Sequence, residues 1–356
     1  IMKTDYYKNY KFDVLTKNIL ENILNEIKAS YLGVNTREIV ITPLQIKSNI
    51  GESKFFHKSI ADDIKVNQDS AFCASYTKDN LVFKFNIYKM KNNIVSDSKI
   101  MEYLKIMISW LLTAKKYESD DCVKNLIIDI YLTKHKKCLP KDNEIIGSKH
   151  VNTAYTYRCH RDDSSITIYR EEDMLKVFFH ETFHTFKFDF RDDCREKLKN
   201  IFPIKSEFNL FESYCETWAR LLNLIYYTII LNENKQIDVL MSLISLESQF
   251  SMIQCLKVLN YMNLTIDDIN NPEKLGYHFK EQSNVFSYYV ITGLFMFNID
   301  KYLNYCKTYN NNIFDFNESN IDKYIEVLLS IKNTNKNGAD LKYLNEIMKK
   351  MEKTTK

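Results

Sequence analysis

Three features of the 356-residue sequence predict an α+β fold. Stretches that alternate apolar and polar residues are confined to the first half. Apolar stripes at helical spacing dominate after residue 190, and only 6 Gly and 4 Pro interrupt the chain. Strands gathered early and helices gathered late point to α+β and away from a regular βαβ alternation. Hydrophobic residues make up 45% and charged residues 27%, the balance of a globular chain long enough to bury a core without cross-links.

Taken in order, residues 1–30 carry Leu15, Ile19, Ile23 and Ile27 on one helical stripe. Residues 37–46 predict a strand around Ile39, Val40 and Ile41 that ends near Pro43. Residues 71–76 and 81–88 alternate at period two around Lys78, Asp79 and Asn80, which predicts a hairpin. A polar stretch with Asn92, Asn93 and Ser96 then marks a boundary, so residues 1–95 are expected to form an N-terminal α+β unit. Residues 100–117 form an amphipathic helix, and 126–133, 151–158 and 165–170 predict three strands. The chain beyond residue 184 predicts helices near 191–201, 207–231, 235–262, 282–308, 320–332 and 339–352. A second unit is expected over 96–310 and a C-terminal helical extension over 311–356.

The net charge of +3 is too balanced for nucleic-acid binding. No run approaches the 18 apolar residues of a membrane span, the nearest being 221–231. The 8 Cys include no CxxC pair, and no secretory signal precedes them, so reduced thiols in a cytoplasmic setting are expected.

The chemistry sits in residues 171–186. His180, Glu181 and His184 form an HExxH stretch. Residues four apart on a helix share a face, with Cβ atoms about 5–6 Å apart, so the two imidazoles can hold one cation. Glu181, turned about 100° from His180, can reach a water on that cation as general base. This is the zincin arrangement, with Zn2+ as the expected cofactor. A metzincin would continue with Gly and His, but Lys187 and Phe190 occupy those positions. Asp189 or Asp192 as third ligand is an aspzincin-like option. Asp173, seven residues before His180, is placed either to orient a ligand His or as a helix N-terminal acid.

Glu212, Glu216 and Ala219 form an ExxxExxA pattern that resembles the ligand helix of gluzincin families. The resemblance implies Glu212 as the third ligand and Glu216 as its neighbour, with a swap of the two as the alternative. The 28 residues between His184 and Glu212 leave room for one short helix and a reversal. In gluzincins the substrate lies along the edge strand before the active helix. Asn152, Thr153, Ala154 and Tyr155, which begin 28 residues upstream of His180, look like that strand. An edge backbone would pair with an extended chain, which makes the expected partner a protein or peptide substrate. The oxyanion donor is sought among His278, Tyr288 and Tyr289, with Tyr155 and Tyr157 as further options. His150 and His160 read as surface residues.

Over residues 100–300 the chain thus resembles an HExxH zinc metallopeptidase of gluzincin type. Its composition, together with residues 170–177, is also similar to metallopeptidases of large DNA viruses, which implies a role in infected cytoplasm or in a virion. The competing reading is a structural or interaction protein, such as a virion component, that keeps a zincin fold and a zinc site without turnover.

Overall fold

The computed structural model describes residues 12–46, 56–91, 95–141, 144–161, 164–191, 194–334 and 338–354. Asp192, the pair Asn92 and Asn93, and the first eleven residues of the predicted N-terminal helix lie outside them. The first half of the chain contributes α1 (Val14–Gly33), β1 (Val40–Pro43), α2 (Lys58–Asn67), β2 (Gln68–Lys78), β3 (Leu81–Met90), α3 (Asp97–Tyr117), β4 (Asn125–Tyr131), α4 (Ser148–Val151), β5 (Ala154–Thr156) and β6 (Ser164–Ile168). The helix with the HExxH residues is α5 (Met174–Thr185). It is followed by α6 (Arg195–Ile201), α7 (Leu210–Leu231), α8 (Gln236–Tyr261) and α9 (Pro272–His278). A π-helical segment (Phe286–Ile291) runs into α10 (Thr292–Phe297). The chain ends with α11 (Ile299–Tyr309), α12 (Ile321–Thr334) and α13 (Gly338–Thr354).

The strands form one mixed sheet in the order β1-β2-β3-β4-β6-β5. The first three strands are antiparallel, β3, β4 and β6 run parallel, and β5 is an antiparallel outer strand. The boundary expected at residue 95 is therefore corrected. β3 pairs with β4 along seven residues, from Val82 opposite Asn125 to Tyr88 opposite Tyr131. The expected C-terminal extension is likewise part of the body. Phe314, Phe316 and Tyr324 are buried in the same apolar cluster as Ile19 in α1, Phe85 in β3 and Trp218 in α7. A short polar stretch marks a loop, but only long-range pairing decides whether it divides two cores.

Alternation along β3 sorts its side chains by face. Phe83, Phe85 and Ile87 enter the main core, while Tyr88 and Met90 join Phe56, Ile60, Ile64, Tyr131 and Tyr169 in a smaller cluster with α2. The predicted helix at 282–308 is broken instead at Asn298, whose backbone leaves the helical region and whose amide donates to Leu294 O at 3.0 Å. Among the described residues one helix, α8, is long and apolar enough by length and composition to cross a membrane, contrary to expectation. Half of that window is buried, and α8 packs on α7, α10 and α13. Cys122 and Cys159, expected to be reduced, are joined by a disulfide across 37 residues of sequence. That spacing carries no motif, so only the fold reveals the pair.

Candidate metal centre

Helix α5 is apolar on nearly every side, as a helix held inside a fold must be. Val177, Phe178, Phe179 and Phe183 are buried, and Trp110 of α3 stacks on Phe183 and donates from Nε1 to Thr182 Oγ1 at 2.7 Å. The remaining strip of α5 carries His180, Glu181 and His184 towards α7. The helix ends directly after His184 because Lys187 adopts a left-handed conformation (φ 61°) and Phe188 N–H reaches back to Phe183 O at 2.8 Å. This is the position where a metzincin carries Gly; here a lysine takes the strained conformation. The reversal returns Asp189 to its own helix.

Three ligand atoms converge between α5 and α7. Glu212 Oε2 lies 3.0 Å from His180 Nε2 and 3.4 Å from His184 Nε2, and the two Nε2 atoms are 3.2 Å apart. A tetrahedral ion with metal–ligand bonds near 2.0–2.1 Å separates its ligands by about 3.3 Å. The set therefore matches the spacing that such an ion needs, and His180, His184 and Glu212 could hold a metal ion. Burial raises the Glu212 carboxyl, but hydrogen bonds with His180 and His184 outweigh it and hold the group down at about 2. Glu212 is thus an anion at neutral pH, as a ligand must be.

Both imidazoles are oriented from behind. His184 Nδ1 is 2.7 Å from Asp189 Oδ2, and Arg158 in turn donates from Nε to Asp189 Oδ1 at 2.7 Å. His180 Nδ1 faces Glu216 Oε2 at 3.3 Å, ion-pair distance although off the line of a good hydrogen bond. Carboxylates on Nδ1 favour the tautomer that leaves each Nε2 lone pair free for a cation. Glu216 is held by Lys176 Nζ at 2.6 Å and Arg220 Nη2 at 3.0 Å. Burial raises the Glu216 carboxyl, but those two cations drive it well below the usual carboxylate range. The free oxygen of Glu212 is also engaged, since Asn284 Nδ2 donates to Oε1 at 3.2 Å while Asn284 Oδ1 accepts from Asn209 N at 3.0 Å. Asn284 sits at φ 53°, a left-handed conformation that Asn tolerates better than most residues.

A second trio, His184, Asp189 and Cys215, has comparable spacing. It is a poorer cation site. Asp189 is already paired with Arg158, and burial pushes the Cys215 thiol up to about 12, so it is not a thiolate.

Two cavities of about 500 Å³ and 870 Å³ meet at this centre. Asn152, Ala154, His180, Glu181 and Tyr288 line both. Burial raises the Glu181 carboxyl. The Tyr288 ring lies 5.8 Å from the His180 ring, and burial with the Glu212 and Glu181 charges keeps its phenol protonated. Tyr289 lines only the smaller cavity.

The sequence-predicted residues divide accordingly. His180, Glu181, His184, Glu212, Glu216 and Tyr288 come together. His278 does not. It ends α9, packs on Tyr277 and lines neither cavity. Asp173 precedes α5 in a left-handed conformation and pairs with Lys137 at 3.4 Å. The role of orienting a ligand His, one reading of its position, falls to Glu216 and Asp189 instead. Glu212 and Glu216 lie on no solvated face, because both are at most 9% exposed and Arg220 pairs with Glu216 in the interior. His150, expected at the surface, is buried and takes the Gly147 N–H on Nδ1. Asn284 was not foreseen, and nothing local in the sequence singles it out.

The expected strand at 151–158 shortens to β5, with Asn152 and Thr153 leading into it from α4. Asn152 accepts from Ser283 Oγ at 2.7 Å. Tyr169 N–H donates to Thr153 O at 2.9 Å, so the inward hydrogen-bonded rungs fall at Thr153 and Tyr155. The backbone groups of Ala154 and Thr156 therefore point to the outer edge, towards the cleft. Comparison with protein families, curated proteins and solved structures finds no match to this chain.

Proposed function

We propose that this chain is a zinc-dependent peptidase of gluzincin type that hydrolyses peptide bonds in a protein or peptide substrate. The observation that carries the reading is the convergence of two Nε2 atoms and one carboxylate oxygen within 3.4 Å, at the meeting point of two cavities beside an edge strand. The donor set suits zinc, with two imidazoles, one carboxylate and room for a solvent ligand. When bound, zinc would acidify a water and polarise the scissile carbonyl. Glu181 then takes the proton of the attacking water and carries it to the leaving amine. The Tyr288 hydroxyl, protonated at neutral pH, donates to the oxyanion that develops on the carbonyl. Ala154 and Thr156 present main-chain donors and acceptors that hold the substrate extended. The rival reading, a structural protein with a retained site, predicts a plugged centre; cavities reaching His180 and Glu181 favour turnover.

The test pairs metal analysis with one substitution. The purified protein should bind about one zinc per chain and hydrolyse denatured protein, and Glu181→Gln should keep the zinc and lose at least ~100-fold in rate. A protein that takes up no zinc, or a Glu181→Gln variant that cleaves like wild type, would refute the proposal.

A further inference from the structure

The centre does not lie at a closed end of its cleft. The smaller cavity runs from it along the N-terminal half of α5 and reaches Phe250, which is 43% exposed. The larger cavity runs the opposite way and reaches Arg195 and Glu207, whose side chains are 48% and 80% exposed. Both branches thus open on the surface, and Ala154 of the edge strand borders both.

An enzyme that trims chain ends must also hold a terminal ammonium or carboxylate next to the reaction centre, which needs a buried charge left over for the substrate. Among the described residues, the buried charges beside the centre are engaged inside the protein. Lys176 and Arg220 hold Glu216, Arg220 also holds Glu247, and Arg158 holds Asp189. Glu281, the buried acid of the larger cavity, accepts the backbone N–H groups of Val285 and Phe286. Glu212 and Glu181 are taken up by the metal site and the proton transfer.

Resting on the peptidase reading, we infer that the substrate is an internal segment of an extended polypeptide, occupying subsites on both sides of the cleaved bond. The protein is an endopeptidase, and neither chain terminus is recognised. Main-chain pairing to Ala154 and Thr156 fixes the segment's position, and side chains on either side of the bond enter the two branches.

The experiment uses the full-length zinc-loaded protein. Substrates are a randomised peptide library of about eight residues, ~26 Å when extended, blocked by N-acetylation and C-amidation. Beside it run single aminoacyl coumarin amides and a library with free termini. Products are read by mass spectrometry. Internal cleavage of the blocked library is expected, with kcat/KM at least ~100-fold above that of any aminoacyl amide. Release of single terminal residues from the free library, with the blocked library untouched, would overturn the endopeptidase inference and leave the hydrolase reading standing. Absence of hydrolysis on every substrate would overturn both.

Discussion

Asn284 offers a sharp test of how the metal centre is held. Its amide donates to Glu212 Oε1 at 3.2 Å and accepts from Asn209 N at 3.0 Å, while its backbone sits at φ 53°. Two substitutions separate the side chain from the backbone. Asn284→Gly removes the amide and keeps the left-handed conformation at no steric cost. Asn284→Ala removes the same amide and adds left-handed strain of about 1–2 kcal/mol. A hydrogen bond to a charged group contributes about 1.5–3 kcal/mol, and loss of such outer contacts typically weakens metal binding about 10- to 100-fold. Both variants should therefore bind zinc about 10- to 100-fold more weakly than wild type and should match each other. The strain is present with and without metal, so it should appear only as a lower melting temperature for the alanine variant, by a few degrees at most. Competition against a chromophoric chelator gives the affinities and thermal scans give the stabilities. If Asn284→Gly binds zinc like wild type, the amide does not hold Glu212. If the alanine variant binds more weakly than the glycine variant, the conformation and not the amide sets the affinity.

Three further outcomes follow from the same geometry. The N–H of Ala154 points to the outer edge, where proline is tolerated. Ala154→Pro should fold with its zinc and lose kcat/KM by roughly 3- to 10-fold, the value of one main-chain hydrogen bond; unchanged kinetics would remove β5 from substrate binding. Burial raises Glu281 to about 7, against the backbone N–H groups of Phe286 and Val285. A folded pKa above the unfolded one gives stability that is full below the unfolded value, near 4.5, and lost as pH rises through about 7. The loss amounts to about 3 kcal/mol, so urea unfolding of Glu281→Gln at pH 4 and pH 8 should show a pH dependence smaller by that amount; an unaltered one would contradict the burial argument. Replacing Cys122 and Cys159 with Ala opens a link spanning 37 residues, and chain entropy puts the resulting destabilisation at up to about 4 kcal/mol, measurable as a lower urea midpoint that reductant no longer changes.

What the sequence revealed and what it hid divide along range. The HExxH pair is a local feature, since helix geometry alone brings His180 and His184 together. The hairpin of β2 and β3 was legible for the same reason, as Asp79 at φ 53° provides the turn between two period-two runs. Glu212 was legible only by resemblance, because no local rule brings α7 against α5. The continuity of the sheet across residue 95 was hidden. Pairing between β3 and β4 is parallel and needs a helical crossover, so composition at the crossover says nothing about whether the strands meet. His278 and Asp173 were attractive on spacing and residue type, but His278 lines neither cavity, and Asp173, the acid at the start of α5, pairs with Lys137 and not with a ligand imidazole.

The polar residues of α7 carry a lesson about reading charge on helices. Glu212, Glu216 and Arg220 repeat at intervals of four, a pattern that on most helices marks a solvated face. All three are buried here, on a helix whose other faces bear Tyr214, Trp218, Leu221 and Leu222. A helix that is apolar on its remaining sides has no solvent face left to offer. Charges on its last strip must then meet charges from another element, and α5 supplies them through Lys176, His180 and His184. Buried charges are costly unless paired, so removing one member strands its partners. Lys176→Met should accordingly do more than lose a salt bridge. Burial already lowers Lys176, and Glu216 opposes that shift. Without the ammonium, Glu216 keeps only Arg220 and His180, and part of its charge must be carried by the imidazole that the metal needs neutral. Weaker zinc binding together with lower stability is the expected pair of effects, and lower stability with unchanged zinc affinity would break the link between the two helices.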